Sequence, residues 1–216
     1  MMAPARKRID RQRRTRRKRR IAFEDRVRYL TIEEWESFFG AVDRLRDRVM
    51  LELLYASGMR VGELVSARIE DLDRQGGFLR ITGDRTKTGR GRTVVLVPRV
   101  RAQLVAWLKE QGQSRGPLFR SQKGGAISVR QVQRLVADYA ERAGLGQVAG
   151  RYRDGERKLG RVTPHTLRHT HIVHALLRKV PLAAVQRQVG HESLETTAIY
   201  AALAPQEVRE AYERGF

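Results

Sequence analysis

The chain has 216 residues, 41% hydrophobic and 31% charged, with no run of about 18 apolar residues and no apolar stretch after its basic start; this fits one or two globular domains, and neither a spanning helix nor a secretory signal peptide is expected. Cysteine is absent, which excludes disulfide scaffolds, thiolate zinc sites and cysteine nucleophiles and fits a cytoplasmic location. Lys and Arg number 44 against 24 acids, a formal charge of +20, and 37 of the basic residues are Arg, the side chain that forks onto phosphate. A polyanion, DNA or RNA first, is the partner class this predicts. A membrane surface is not expected, because no basic stretch has a clear apolar face.

Residues 1–28 carry thirteen Lys or Arg and three acids, with Arg16, Arg17, Lys18, Arg19 and Arg20 at the centre. Such a segment cannot offset its ordering entropy by apolar burial, so it is expected to be a flexible basic arm that orders on a polyanion. Residues 29–216 then form the globular domain. Thr31 and Glu34 spell a capping box opening a helix with Trp35, Phe38, Phe39 and Val42 on one face. A second helix carries Leu45, Val49, Met50, Leu53 and Leu54 and stops at Gly58. A third runs from about Val61 to Ala67.

The period then changes. Residues 78–82 and 93–97 are strand-like, and the polar, Gly-rich stretch 83–92 between them reads as a hairpin loop, with Pro98 closing the second strand. Helices are expected over 99–110, 129–142, 164–178, 182–189, 194–202 and 205–214. Thr163-Pro164 forms an N-cap and first-turn pair, and Gly190 is a stop. Residues 144–160 are Gly-rich and basic, hence a loop or a mobile hairpin. The fold class is therefore mostly α with a small antiparallel β-sheet.

Thr163 to Thr170 is the densest chemical signal. His165 and Arg168 are three apart and share a helix face, pairing an imidazole that can move a proton with a guanidinium that can hold an anion. The histidines at 165 and 169, and at 171 and 174, have helical spacing, but no carboxylate sits beside them in sequence, so they read as packing or DNA-facing groups and no metal is expected. Three further blocks accompany this one. They are Leu53-Leu54-Tyr55-Ala56-Ser57-Gly58-Met59-Arg60-Val61-Gly62-Glu63-Leu64, the hairpin with Lys87, and Gly190-His191-Glu192-Ser193-Leu194-Glu195-Thr196-Thr197-Ala198-Ile199-Tyr200.

In this order the four blocks resemble the tyrosine recombinase, or phage integrase, family over roughly residues 30–204. The resemblance implies that family's catalytic-domain fold and DNA strand cleavage and rejoining through a 3′-phosphotyrosyl intermediate. It implies Arg60 and Arg168 as clamps on the scissile phosphate, Tyr200 as nucleophile, His165 as general base, His191 as a phosphate hydrogen-bond donor and Lys87 as the acid for the leaving 5′ oxygen. Glu63, one turn beyond Arg60, is a candidate for orienting a guanidinium or an imidazole. Arg85, Arg90 and Arg92 of the hairpin join the arm's basic block as candidate DNA contacts. Such chemistry conserves the phosphodiester's energy, so no cofactor is expected, and no nucleotide-binding Gly-x-x-x-x-Gly-Lys-[Ser/Thr] loop occurs. The expected partner is double-stranded DNA, bound by a homotetramer, and the free protein can be a monomer. Two alternatives share the resemblance: a decayed integrase acting as a DNA-binding regulator, and a type IB topoisomerase-like relaxing enzyme. Most family members carry a DNA-clamping domain before the catalytic one. The 29 residues before Leu30 are too few for an independent core, so a minimal member or a catalytic fragment is expected.

Overall fold

A computed structural model describes residues 29–85, 89, 91–146, 149–152, 155–158 and 162–190. Thr31 caps α1 (Ile32–Gly40), its hydroxyl accepting the Glu34 N–H while the Glu34 carboxylate accepts the Thr31 N–H. Next comes α2 (Leu45–Ser57), the central helix. It is buried nearly all round: Val49, Met50, Leu51, Leu53 and Leu54 fill the core, and α2 packs against α4 and α6. A helix this deeply buried must neutralise its inward acids. Asp47 accepts from Arg46 Nε at 2.7 Å and from the Tyr139 hydroxyl at 3.0 Å, and Glu52 pairs with Arg99. Gly58 ends the helix in the left-handed region at φ 62°, and Arg60 then starts the short α3 (Val61–Ser66).

A three-stranded antiparallel sheet follows, with β1 (Leu72–Asp73), β2 (Phe78–Ile81) and β3 (Arg92–Val95) in that order. Leu79 faces Val94 across the β2–β3 pair, and both are buried on the core side. The strand β1 and the 3₁₀ turn before it, Ile69–Asp71, are additions to the sequence reading. Pro98 does not close a strand: β3 ends at Val95, and Pro98 occupies the first turn of α4 (Pro98–Glu110), where its missing N–H costs nothing. The helix α5 (Val129–Arg142) is capped by Ser128 and buries Val132, Val136 and Tyr139. The Gly-rich stretch contains a two-stranded antiparallel hairpin, β4 (Ala149–Tyr152) and β5 (Gly155–Lys158). Thr163 caps α6 (Pro164–Leu177), and α7 (Leu182–Val189) ends at Gly190. The helices expected over 194–202 and 205–214 and the basic arm lie outside the described residues.

Two apolar clusters organise these elements. The larger spans the α1–α5 region, the sheet and Leu167; the smaller joins Ile172 and Val173 of α6 to Val185 and Val189 of α7. The second cluster fixes the α6–α7 angle, which decides where the carbonyls at the end of α7 fall. Among the described residues no helix is long and apolar enough to cross a membrane.

Candidate active site

Four elements converge on a group of cationic side chains: the α2–α3 junction, the start of β3, the first turns of α6 and the end of α7. Arg60 is the residue before α3, with its side chain 44% exposed. Its backbone N–H donates to Glu63 Oε2 at 2.6 Å, and its Nη1 lies 3.4 Å from Glu63 Oε1. Glu63 is buried, and its carboxylate also receives both terminal nitrogens of Arg92, Nη2 reaching Oε2 at 2.9 Å. Burial alone raises the Glu63 pKa. The bonds and charge of Arg92, the Arg60 N–H and the Arg60 charge outweigh it and hold the carboxyl below its usual range.

Arg168 is only 1% exposed and is the largest fully buried side chain among the described residues. Its guanidinium donates through Nη1 to the Gly58 carbonyl at 2.5 Å and through Nη2 to the Val189 carbonyl at 2.7 Å. A closed circuit results: Arg60 to Glu63, Glu63 to Arg92, Arg92 Nε to the Gln188 carbonyl at 3.3 Å, the adjoining Val189 carbonyl to Arg168, and Arg168 to Gly58, two residues before Arg60. His165 stands at the edge of this circuit, its ring 4.3 Å from the His169 ring in an edge-on arrangement. Desolvation, then the charges of Arg168 and Arg60, lower its pKa. The imidazole is therefore neutral at pH 7 and can accept a proton.

The structure thus brings together Arg60, Glu63, His165 and Arg168, which the sequence singled out, and adds Arg92 as a link in their circuit. Arg92 is 15% exposed, with its fork turned onto Glu63. The backbone of Arg85 lies in the 3₁₀ turn Gly83–Arg85. Lys87, Arg90, His191, Tyr200 and Arg16, Arg17, Lys18, Arg19 and Arg20 lie outside the described residues. Two groups escaped the sequence reading altogether, the Gly58 and Val189 carbonyls, since backbone acceptors carry no sequence signal. Arg92 had one: it shares strand parity with the buried Val94 and sits opposite the buried Ile81, so it points inward and needs an acid.

His171 and His174 are packing groups, each with its ring edge-on to Tyr55. His174 Nδ1 lies 2.8 Å from the Tyr55 hydroxyl, and Tyr55 stacks on Trp35 at 3.8 Å between centroids. Among the described residues no three His, Asp or Glu side chains gather as metal ligands would. Burial, with the charge of Arg168 second, lowers the pKa of His171 from 6.5 to about 4, and burial also lowers that of His174. A base with a depressed folded value binds fewer protons folded than unfolded between the two values. Stability is thus full above pH ~6.5 and falls as the pH drops toward ~4, by about 3 kcal/mol for His171 alone. Urea midpoints should decline steeply from pH 7 to pH 4.5, and His171→Gln should flatten that decline. A midpoint independent of pH in this window would contradict the assignment.

The chain is similar to known proteins over most of its length. The model of the phage integrase family matches residues 28–207. Tyrosine recombinase XerA of Pyrococcus furiosus is 32% identical over 190 residues, covering 86% of this chain and 60% of the relative. Tyrosine recombinase XerC of Pelobacter propionicus is 36% identical over 172 residues, covering 79% and 52%. The crystal structure of XerA recombinase superposes with a TM-score of 0.68 at 26% identity, over 87% of this chain and 65% of that one. XerH site-specific recombinase, in a post-cleavage complex with a palindromic difH substrate, gives 0.64 at 26% identity, over 86% and 52%. The chain therefore spans between half and two thirds of the length of these relatives.

Proposed function

Because the chain belongs to the phage integrase family, we propose that it is a site-specific DNA recombinase that cuts and rejoins strands through a 3′-phosphotyrosyl intermediate. The observation that carries this reading is the circuit joining Arg60, Glu63, Arg92 and Arg168, with a neutral imidazole at its edge. Guanidinium groups fixed before the substrate arrives stabilise charge that builds on the non-bridging oxygens of a pentacoordinate phosphorus, with no reorganisation at the moment of reaction. The Tyr200 oxygen attacks phosphorus, the P–O5′ bond breaks, His165 takes the phenolic proton and Lys87 supplies one to the departing 5′ oxygen. Arg60 and Arg168 hold the phosphate, and His191 donates a hydrogen bond to it. Religation by a 5′ hydroxyl reverses each transfer, so no nucleotide is consumed.

The relatives support the partner. XerH is bound to its palindromic difH substrate, and the net +20 of this chain suits a DNA duplex. We assign double-stranded DNA as substrate, a homotetramer as the assembly on it, and the cytoplasm as the site of action. The basic block at 16–20 and the hairpin arginines Arg85 and Arg90 are assigned to the DNA backbone.

A nicked suicide duplex made from the DNA flanking the native gene tests the reading. Once cleaved, the short strand diffuses away and the covalent adduct accumulates. The wild-type chain should give an adduct on a denaturing gel, and Tyr200→Phe should give none. Adduct undiminished in Tyr200→Phe would remove the nucleophile assignment, and DNA binding without any adduct would favour a non-cleaving regulator.

A further inference from the structure

Arg92 takes no part in the proposed chemical steps, yet it occupies the middle of the circuit. We propose that Arg92 is a positioning residue for the cleavage step, bracing Glu63, and through it Arg60, against the end of α7; this rests on the recombinase reading above. Both Nη atoms of Arg92 engage the Glu63 carboxylate, and Nε reaches the Gln188 carbonyl. A bidentate fork fixes the plane of a carboxylate, which a single point charge does not. That plane matters because Glu63 Oε2 also holds the Arg60 N–H at 2.6 Å. The exposed Arg60 side chain thus swings from a backbone that Arg92 indirectly sets.

The other end of the brace is equally defined. The Gln188 carboxamide imitates a neighbouring strand along β3: its Oε1 accepts the Val95 N–H at 3.0 Å and its Nε2 donates to the Val95 carbonyl at 2.9 Å. Beyond it, Gly190 has φ 66°, and a Cβ there would lie 2.8 Å from Arg92 Cδ. The stem of Arg92 therefore packs where the backbone leaves α7 toward His191. One side chain touches the support of Arg60 and the chain exit to His191, and it opens the strand that follows the Lys87 hairpin. Because its fork is paired with a carboxylate, an anion that a phosphate would have to displace, Arg92 is not a phosphate contact, whereas the Arg168 fork rests on uncharged carbonyls.

The two roles predict opposite results. For a positioning residue, Arg92→Gln lowers the rate of adduct formation at saturating DNA by tenfold or more. It leaves the DNA dissociation constant within twofold and the salt slope of binding unchanged. Arg92→Lys recovers only part of the rate, because one ammonium cannot replace the fork, and it carries the same test if the Gln variant fails to fold. Glu63→Gln combined with Arg92→Gln should be no worse than the poorer single variant, since both break one link. Weaker binding with a salt slope reduced by about 1 and an unchanged saturating rate would make Arg92 a phosphate contact and overturn the proposal. A saturating rate within threefold of wild type, or fully multiplicative effects in the double variant, overturns it too. Hydrogen exchange in the DNA-free protein reads the brace without chemistry: the Arg60 and Val95 amides should lose protection in Arg92→Gln. If the wild-type chain forms no adduct, the recombinase reading fails alone and the exchange result decides the brace; unchanged protection overturns it.

Discussion

Arg168→Lys is expected to lower adduct formation at saturating DNA by about 10²-fold or more, and Arg168→Ala to abolish it and cost about 3–5 kcal/mol of folding stability. The two effects have separate origins. The structural one lies in the Gly58 and Val189 carbonyls, which lose their donor in the alanine variant while remaining buried between α6, the α2–α3 turn and the end of α7. Each buried acceptor left without a partner costs about 1–3 kcal/mol, and the vacated volume adds to that. Against a domain stability of about 5–15 kcal/mol, the alanine variant stays folded but is easily denatured. Lysine keeps the charge and can serve one carbonyl, so it recovers much of the stability. It cannot present a planar fork, so it does not recover the rate. Urea denaturation and single-turnover cleavage on the nicked duplex measure the two separately. A lysine variant that cleaves within threefold of wild type would show that Arg168 is a structural cation and not a phosphate clamp.

The legible part of this molecule was its punctuation and its chemistry-bearing blocks. Thr31 with Glu34, Gly58, Thr163-Pro164 and Gly190 each marked a helix boundary, because caps and left-handed stops depend on one or two adjacent residues. The illegible part was long-range or too short to carry a period. The two residues of β1 cannot display an alternation; only pairing with Leu79 and Phe78 makes them a strand. Pro98 is as compatible with a strand end as with a helix start, and the burial of Val100 and Leu104 on one face of α4 decides it. Arg92 reads locally as one more arginine in a polar loop. Its strand parity with Val94 turns it inward, but its partners lie 29 and 96 residues away, so which groups it meets emerges only when β3, α3 and α7 come together. The same holds for Arg168: the His165–Arg168 spacing suggested an anion clamp, but nothing local foretold that carbonyls would hold its guanidinium at 1% exposure.

Gly58→Ala should destabilise the fold by about 2–5 kcal/mol, although no side chain is removed. At φ 62° a Cβ meets its own carbonyl, which costs about 1–2 kcal/mol. The added methyl would also lie 2.5 Å from His171 Cδ2 and 2.8 Å from Val189 Cγ1. Neither neighbour can yield cheaply: Val189 is fully buried in the α6–α7 cluster, and His171 sits mid-helix on α6. Overpacking of this kind costs about 1–3 kcal/mol. Gly144→Ala is the matched control, since it shares a positive φ of 73° but has no atom within 4 Å of the new Cβ. The difference between the two urea midpoints isolates the steric part, and equal losses would refute the clash. Because the Gly58 carbonyl accepts from Arg168, any backbone shift that relieves the clash moves the guanidinium proposed to clamp the phosphate. The alanine variant should therefore also cleave DNA more slowly at temperatures where it is fully folded, while the Gly144 control, just beyond the C-terminal end of α5, keeps the wild-type rate.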